Sequence, residues 1–111
     1  MEKESEQVEL KKSTSELKEA IISIAAMLNK HKKGEIIFGI RNNGDVIGQK
    51  VTEATLREIS QAIASNIEPR IYPEIKAETI SKKEYAMVSF EGHEQPYFAF
   101  ASFLNEFDLA L

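Results

Sequence analysis

The stretch Asn29–Gly48 constrains the fold more than any other part of this chain. It runs from Asn29 through a basic loop, Lys30-His31-Lys32-Lys33, into Gly34-Glu35-Ile36-Ile37-Phe38-Gly39-Ile40 and then Arg41-Asn42-Asn43-Gly44-Asp45-Val46-Ile47-Gly48. The apolar run Glu35–Arg41 is short, rich in isoleucine and bounded by Gly34 and Asn43-Gly44. That pattern predicts a strand buried on both faces and central in its sheet. Asn43-Gly44 tolerates positive φ and predicts a tight hairpin into Val46–Gly48. Such a strand needs apolar cover on each side, and the flanking segments have to supply it.

The flanks read accordingly. Gln7–Lys12 sets Val8 and Leu10 against Gln7, Glu9 and Lys11, a period of two that predicts a half-buried strand. Ser13-Thr14-Ser15-Glu16 matches a capping box, in which the Ser13 hydroxyl accepts from the Glu16 N–H and the Glu16 carboxylate reaches back to the Ser13 N–H. Leu17, Ile21, Ile24, Ala25 and Leu28 follow at helical spacing, so 14–29 is predicted as a helix with one apolar face. Thr52 is placed to N-cap a second helix carrying Leu56, Ile59, Ala62, Ile63 and Ile67, which Pro69 ends. Ile71–Ile80 and Glu84–Glu91 read as two strands joined at Ser81-Lys82-Lys83 in an antiparallel hairpin. Gln95-Pro96-Tyr97-Phe98 reads as extended, because a residue before proline avoids the helical region. The order is strand, helix, strand hairpin, helix, strand, strand. This is an α+β layout, with two helices packed on a mainly antiparallel sheet. Residues 1–6 read as a frayed leader, 7–100 as the domain, and 101–111 as a tail that is either truncated or in search of a partner. That tail carries Phe103, Leu104, Phe107, Leu109 and Leu111.

With 111 residues, the chain is one domain's worth. It lacks cysteine, which excludes a disulfide frame and a thiolate metal site. No segment reaches the ~18 apolar residues of a membrane span. The charged start Met1-Glu2-Lys3-Glu4-Ser5-Glu6 has no apolar core and is not a signal peptide. A cytoplasmic protein with no membrane partner is expected. The net charge of −4 argues against a protein that grips nucleic acid over its whole surface. The cations Lys11, Lys12, Lys30, Lys32, Lys33 and Arg41 are nevertheless concentrated in two sequence regions, and a local patch can bind an anion on an acidic domain.

Several of these pieces stand in the order seen in one known family. Glu9-Leu10-Lys11, Ala26-Met27-Leu28-Asn29, Gly34, Phe38-Gly39-Ile40, Gly44 and Gly48 resemble the Schlafen-type, Alba-like domain of bacterial transcriptional regulators, also called divergent AAA-type. The resemblance covers roughly Glu4 to Tyr97 and rests on order and spacing. It implies an Alba-like fold and a DNA-binding domain of transcriptional-regulator type that pairs with a second copy. Family members usually have a small neutral loop where this chain has Lys30-His31-Lys32-Lys33. They also continue after the aromatic segment with a Gly-Arg pair, which is absent here.

Three readings of function follow. The first is a non-enzymatic DNA-binding domain that contacts phosphates through Lys11, Lys12, Lys30, Lys32, Lys33 and Arg41, weakly and with low sequence selectivity. The second is a metal-dependent endoribonuclease. Some Schlafen relatives cleave RNA with two glutamates near the opening strand and an aspartate after the Ile-Gly-Val-type strand, and Glu4 and Glu9 are spaced as that pair is. The aspartate would fall near Arg41 or Asn42, where Arg41 would repel a metal and Asp45 lies too far round the turn. The third is a dimerisation or effector-sensing module. No cofactor is implied: Gly34, Gly39, Gly44 and Gly48 form neither a P-loop nor a dinucleotide fingerprint, because no helix follows them. His31 and His93 lie too far apart in sequence, with no acidic cluster near them, to indicate a zinc site. The aromatics Tyr72, Phe90, Tyr97, Phe98, Phe100, Phe103 and Phe107 read as core and interface packing rather than base-stacking groups.

Overall fold

The computed structural model describes residues 5–100. A four-stranded sheet has the order β1-β2-β5-β4. Its strands are β1 (Val8–Lys11), β2 (Lys33–Phe38), β4 (Glu74–Ile80) and β5 (Lys83–Glu91). β1 and β2 are parallel, whereas β5 runs antiparallel to both β2 and β4. A short 3₁₀ turn (Thr14–Glu16) leads into α1 (Leu17–His31), which crosses from β1 to β2. Helix α2 (Glu53–Asn66) precedes a two-residue strand, β3 (Ile67–Glu68), which pairs with β6 (Phe98–Ala99) in a separate ribbon. The fold is therefore the expected α+β one, with a mostly antiparallel mixed sheet and two helices. Among the described residues no helix is long and apolar enough to cross a membrane.

β2 is central, as its composition requires. Ile36 and Phe38 join Ile21, Ile24 and Leu28 of α1 and Ile59 and Ile63 of α2 in the main core. Ile37 points the other way and forms a second cluster with Leu10, Ile40 and Tyr85. Ile36, Ile37 and Phe38 are at most 1% exposed. Two glycines make this packing possible. A Cβ on Gly34 would lie 2.6 Å from Met27 Sδ and 3.0 Å from Phe90 Cζ, so both side chains lean on the bare backbone. Gly39 has φ +112, a region that costs any residue with a Cβ, and Tyr85 packs against it.

Several boundaries differ from the sequence reading for local reasons. The Glu16 carboxylate accepts from the Lys12 N–H at 2.9 Å and not from Ser13, while the Ser13 hydroxyl accepts from the Ser15 N–H. The first turn is 3₁₀, and α1 starts only at Leu17. Thr52 does cap α2, in a box completed by Thr55. That helix ends at Asn66, ahead of Pro69, because Ile67 is extended to pair with Ala99. Val46–Gly48 contributes only an isolated bridge, Ile40 to Val46, and no strand. Ser5 and Glu6, in the expected leader, fold back on the domain, with Ser5 and Val8 exchanging backbone hydrogen bonds of 2.8 and 3.4 Å. The rest of the leader and the tail 101–111 lie outside the described residues.

Asn29 clamps the C-terminal segment. Its amide donates to the Tyr97 carbonyl at 2.9 Å and its oxygen accepts from the Tyr97 N–H at 2.7 Å, so one side chain stands in for a strand neighbour. Beside it, the Gln95 amide donates at 2.9 Å to the Leu28 carbonyl, which also accepts the Lys32 N–H that ends α1. Asn29→Ala removes both bonds to Tyr97 and is expected to cost about 1–3 kcal/mol of unfolding free energy. Urea denaturation will measure it; a loss under about 0.5 kcal/mol would mean water replaces the clamp without penalty.

Candidate nucleic-acid interface

The segment that leaves β2 is built around Arg41. Its N–H donates to the Asp45 carbonyl at 2.9 Å, and the Gly44 N–H donates to the Arg41 carbonyl at 2.8 Å. Asn43 braces the turn from inside: its oxygen accepts from the Asp45 N–H at 3.0 Å and its amide donates to the Asp45 carboxylate at 3.1 Å. Lys12, Glu16, Arg41, Asn42 and Asn43 line a shallow cavity of about 350 Å³ at this end of the sheet. Lys12 and Arg41 are exposed and have no ion-pair partner within 4.0 Å among the described residues.

The expected cations do not form one patch. Lys30, Lys32 and Lys33 lie at the opposite end of β2, separated from Arg41 by at least the strand's length, roughly 17 Å at 3.3 Å per residue. Lys30 is paired with Glu6 at 3.1 Å, and His31 Nε2 lies 3.2 Å from the other Glu6 oxygen, an ion pair when the ring is protonated. Lys32 ends α1 in the left-handed region with φ 68, and its carbonyl accepts from the Gly92 N–H. Lys33 opens β2 beside Glu91. Lys11 belongs to neither group. It is in register with Phe38 on the helix-facing side, 16% exposed, with Nζ 3.5 Å from Glu9.

Three cations at the Arg41 end escaped the sequence reading. β5 runs antiparallel to β2, so the β4–β5 turn comes back to the end where β2 stops. That turn brings Lys82 and Lys83, and Lys83 Nζ donates to the Val46 carbonyl at 3.1 Å. The Gln49 N–H donates to the Glu84 carbonyl, which holds Lys50 at the same end. Glu16, Asp45 and Glu84 stand among these cations and dilute their charge. The predicted Ser81-Lys82-Lys83 turn already contained the signal; joining it to the hairpin's direction would have placed two of these lysines beside Arg41.

The carboxylates do not assemble into a metal centre among the described residues, where no three His, Asp or Glu side chains come together as one could require. Glu4 lies outside those residues. Glu9 Oε2 is buried without a hydrogen-bond partner, beside a cavity of about 260 Å³ that Glu6, Lys30 and His31 also line. Asp45 is engaged by Asn43 in the turn beyond β2. The aromatics divide: Phe90 and Tyr97 are buried as expected, whereas Tyr72 is 85% and Phe98 51% exposed. Tyr72 carries the Arg70 guanidinium 5.8 Å from its ring centre.

The family model described as "Schlafen, AlbA_2" matches residues 4–106, and the chain belongs to that family. No match is found among curated proteins. Among solved structures the chain is similar to the DIP2311 protein from Corynebacterium diphtheriae, with a TM-score of 0.68 and 16% identity over 86% of this chain and 20% of that one. It thus spans about a fifth of that protein. It is also similar to the N-terminal domain of an ATP-dependent DNA helicase RecG-related protein from Nitrosomonas europaea, with a TM-score of 0.64 and 18% identity over 86% of this chain and 71% of that one. Both likenesses are likenesses of fold.

One titration reports how the Lys30 end is compensated. The hydrogen bond and charge of Lys30, then His31, hold the Glu6 carboxyl below its ordinary 4.5. A carboxyl lowered on folding adds stability above its unfolded value, and that stability is lost as pH falls through the folded value. Glu6 is exposed, so the contribution is small. NMR titration is expected to give Glu6 a midpoint below 4.5, moving up toward that value in Lys30→Ala. An unchanged midpoint in the variant would show that Lys30 does not hold this carboxylate.

Proposed function

We propose that this Schlafen, AlbA_2 domain is a non-enzymatic nucleic-acid-binding module of transcriptional-regulator type. On this reading it works in the cytoplasm and binds DNA at the end of the sheet where Lys12 and Arg41 stand. The observation that carries this reading is a pair of exposed cations at one open cavity with no carboxylate within ion-pair distance among the described residues. Lysine and arginine neutralise phosphates and release counterions, which supplies affinity without reading bases. Lys50, Lys82 and Lys83 extend the same rim. Lys30 is already engaged by Glu6 and Lys33 stands beside Glu91, so that loop contributes less. The name of the Nitrosomonas europaea relative, RecG-related, accords with a role on nucleic acid.

The two ends make the reading testable. Each phosphate contact on duplex DNA adds about 0.9 to the slope of log K against log salt. Changing Lys12 and Arg41 together to Ser is therefore expected to flatten the slope by roughly two units and weaken unrelated duplexes alike. Changing Lys30, Lys32 and Lys33 to Ser is expected to have the smaller effect. Fluorescence anisotropy on two unrelated duplexes at several salt concentrations is the measurement. Equal binding by wild type and the Lys12/Arg41 variant would reject this site. No binding by wild type at low salt would favour an interaction module.

The absence of catalysis is a separate expectation. Arg41 occupies the neighbourhood in which a third metal-binding carboxylate would be needed. Structured RNA and single-stranded DNA are expected to stay intact with Mg²⁺ or Mn²⁺. Metal-dependent cleavage that disappears in Glu9→Ala would overturn this and restore the nuclease reading.

A further inference from the structure

Strand β4 forms one edge of the sheet, and no described strand lies on its outer side. Exposed edges of this kind are usually broken by a bulge, a proline or an uncompensated charge. β4 has neither a bulge nor a proline over its paired length, where Glu74 to Ile80 faces β5 in an unbroken register, residue for residue; it does carry the charges Glu74, Lys76 and Glu78. Pro73 stands just before it.

The direction of its main-chain groups follows from the turn. Ile80 and Lys83 flank a two-residue turn in which Ser81 (φ 50) and Lys82 (φ 67) both have positive φ. Both signs are those of a type I′ turn, whose flanking residues exchange a close pair of hydrogen bonds. Along an antiparallel pair such residues alternate. Ile80, Glu78, Lys76 and Glu74 therefore bond to β5, while Thr79, Ala77 and Ile75 turn their N–H and C=O groups outward. The same alternation carried across β5 leaves Glu35 and Gly39 of β2 donating toward β1, and both do, to the Gln7 and Lys11 carbonyls at 2.8 Å.

We propose that β4 pairs with β4 of a second copy of this chain, antiparallel and centred on Ala77, to make a symmetric dimer with a continuous sheet. The occupant is chosen by complementarity. In this register Ala77 bonds its own copy, and Ile75 bonds the partner's Thr79, so all three outward residues are satisfied. Lys76 then faces the partner's Glu78, and Glu78 the partner's Lys76. These are non-hydrogen-bonded positions, where Cα atoms come within about 4.5 Å and side chains interact best. Ala77, small and exposed, leaves room on the axis. A two-fold axis makes such an interface self-complementary by construction. Within one copy Lys76 already lies 2.9 Å from Glu74, and Glu78 has no ion-pair partner among the described residues; the dimer would provide one. This proposal does not depend on nucleic-acid binding, because neither Lys76 nor Glu78 belongs to the Lys12–Arg41 site.

Sedimentation equilibrium on the full chain is the test, with Lys76→Glu, Glu78→Lys and the double exchange. Wild type is expected to dimerise at micromolar concentration. Each single reversal places like charges opposite one another twice per dimer and is expected to weaken association about tenfold or more. The double exchange restores opposite charges and is expected to recover most of the loss. Amide exchange at Ile75, Ala77 and Thr79 in wild type should slow as concentration rises, a readout that needs no variant. A monomer across the whole range would overturn the proposal. So would a dimer indifferent to both single reversals, or one without concentration-dependent protection of β4.

Discussion

The burial of β2 on both faces is the constraint on which the rest of the domain depends. A strand carrying Ile36 and Phe38 on one side and Ile37 on the other cannot face water on either. Each such side chain contributes roughly 1.5–3 kcal/mol when fully covered. Two helices supply one cover, and Leu10, Ile40 and Tyr85 fill the second side. β1 and β5 complete the hydrogen bonding at its two edges. The glycines belong to the same constraint: Gly34 lets Met27 and Phe90 close over the strand's start, and Gly39 lets the chain turn out of the sheet against Tyr85.

Most of this was legible because it is written in local periodicity. The central position of β2, the apolar faces of both helices and the Thr52 cap all depend on residues within a turn or two of each other. What escaped the sequence depends on contacts between distant segments. The β3–β6 ribbon brings Ile67 beside Ala99, and no local pattern announces a two-residue strand. Glu16 chose Lys12 over Ser13 because the chain enters the helix through a 3₁₀ turn, which moves the carboxylate away from its own cap. Asn43-Gly44 did mark a turn, but the return segment meets Gly39 and Glu84 instead of forming a strand.

The candidate site was partly legible for the same reason. Composition identifies lysines and arginines; only topology says which share an end. Lys12 and Arg41 are far apart in sequence yet line one cavity, because β1 and β2 are parallel and finish side by side. Lys30, Lys32 and Lys33 are equally basic in sequence, but they sit where β2 begins, with Glu6 and Glu91 beside them. The two groups thus differ in electrostatic standing although their residue types are the same. A cation already paired gains less from a phosphate, since the first partner must be given up.

The geometry of the proposed dimer links these levels. Residues directly opposite in an antiparallel pair point to the same face, so a two-fold axis through Ala77 stands perpendicular to the sheet. The helices of both copies then lie on one face, and the clusters containing Leu10 and Ile37 lie on the other. Because the paired strands run in opposite directions, the two β4–β5 turns point away from each other. The Lys12–Arg41 end of one copy therefore lies diagonally opposite that of its partner. Two modest cationic sites on one rigid sheet can raise affinity through effective concentration when a single ligand reaches both. A net acidic chain can then hold a polyanion at two separated points without becoming basic over its whole surface.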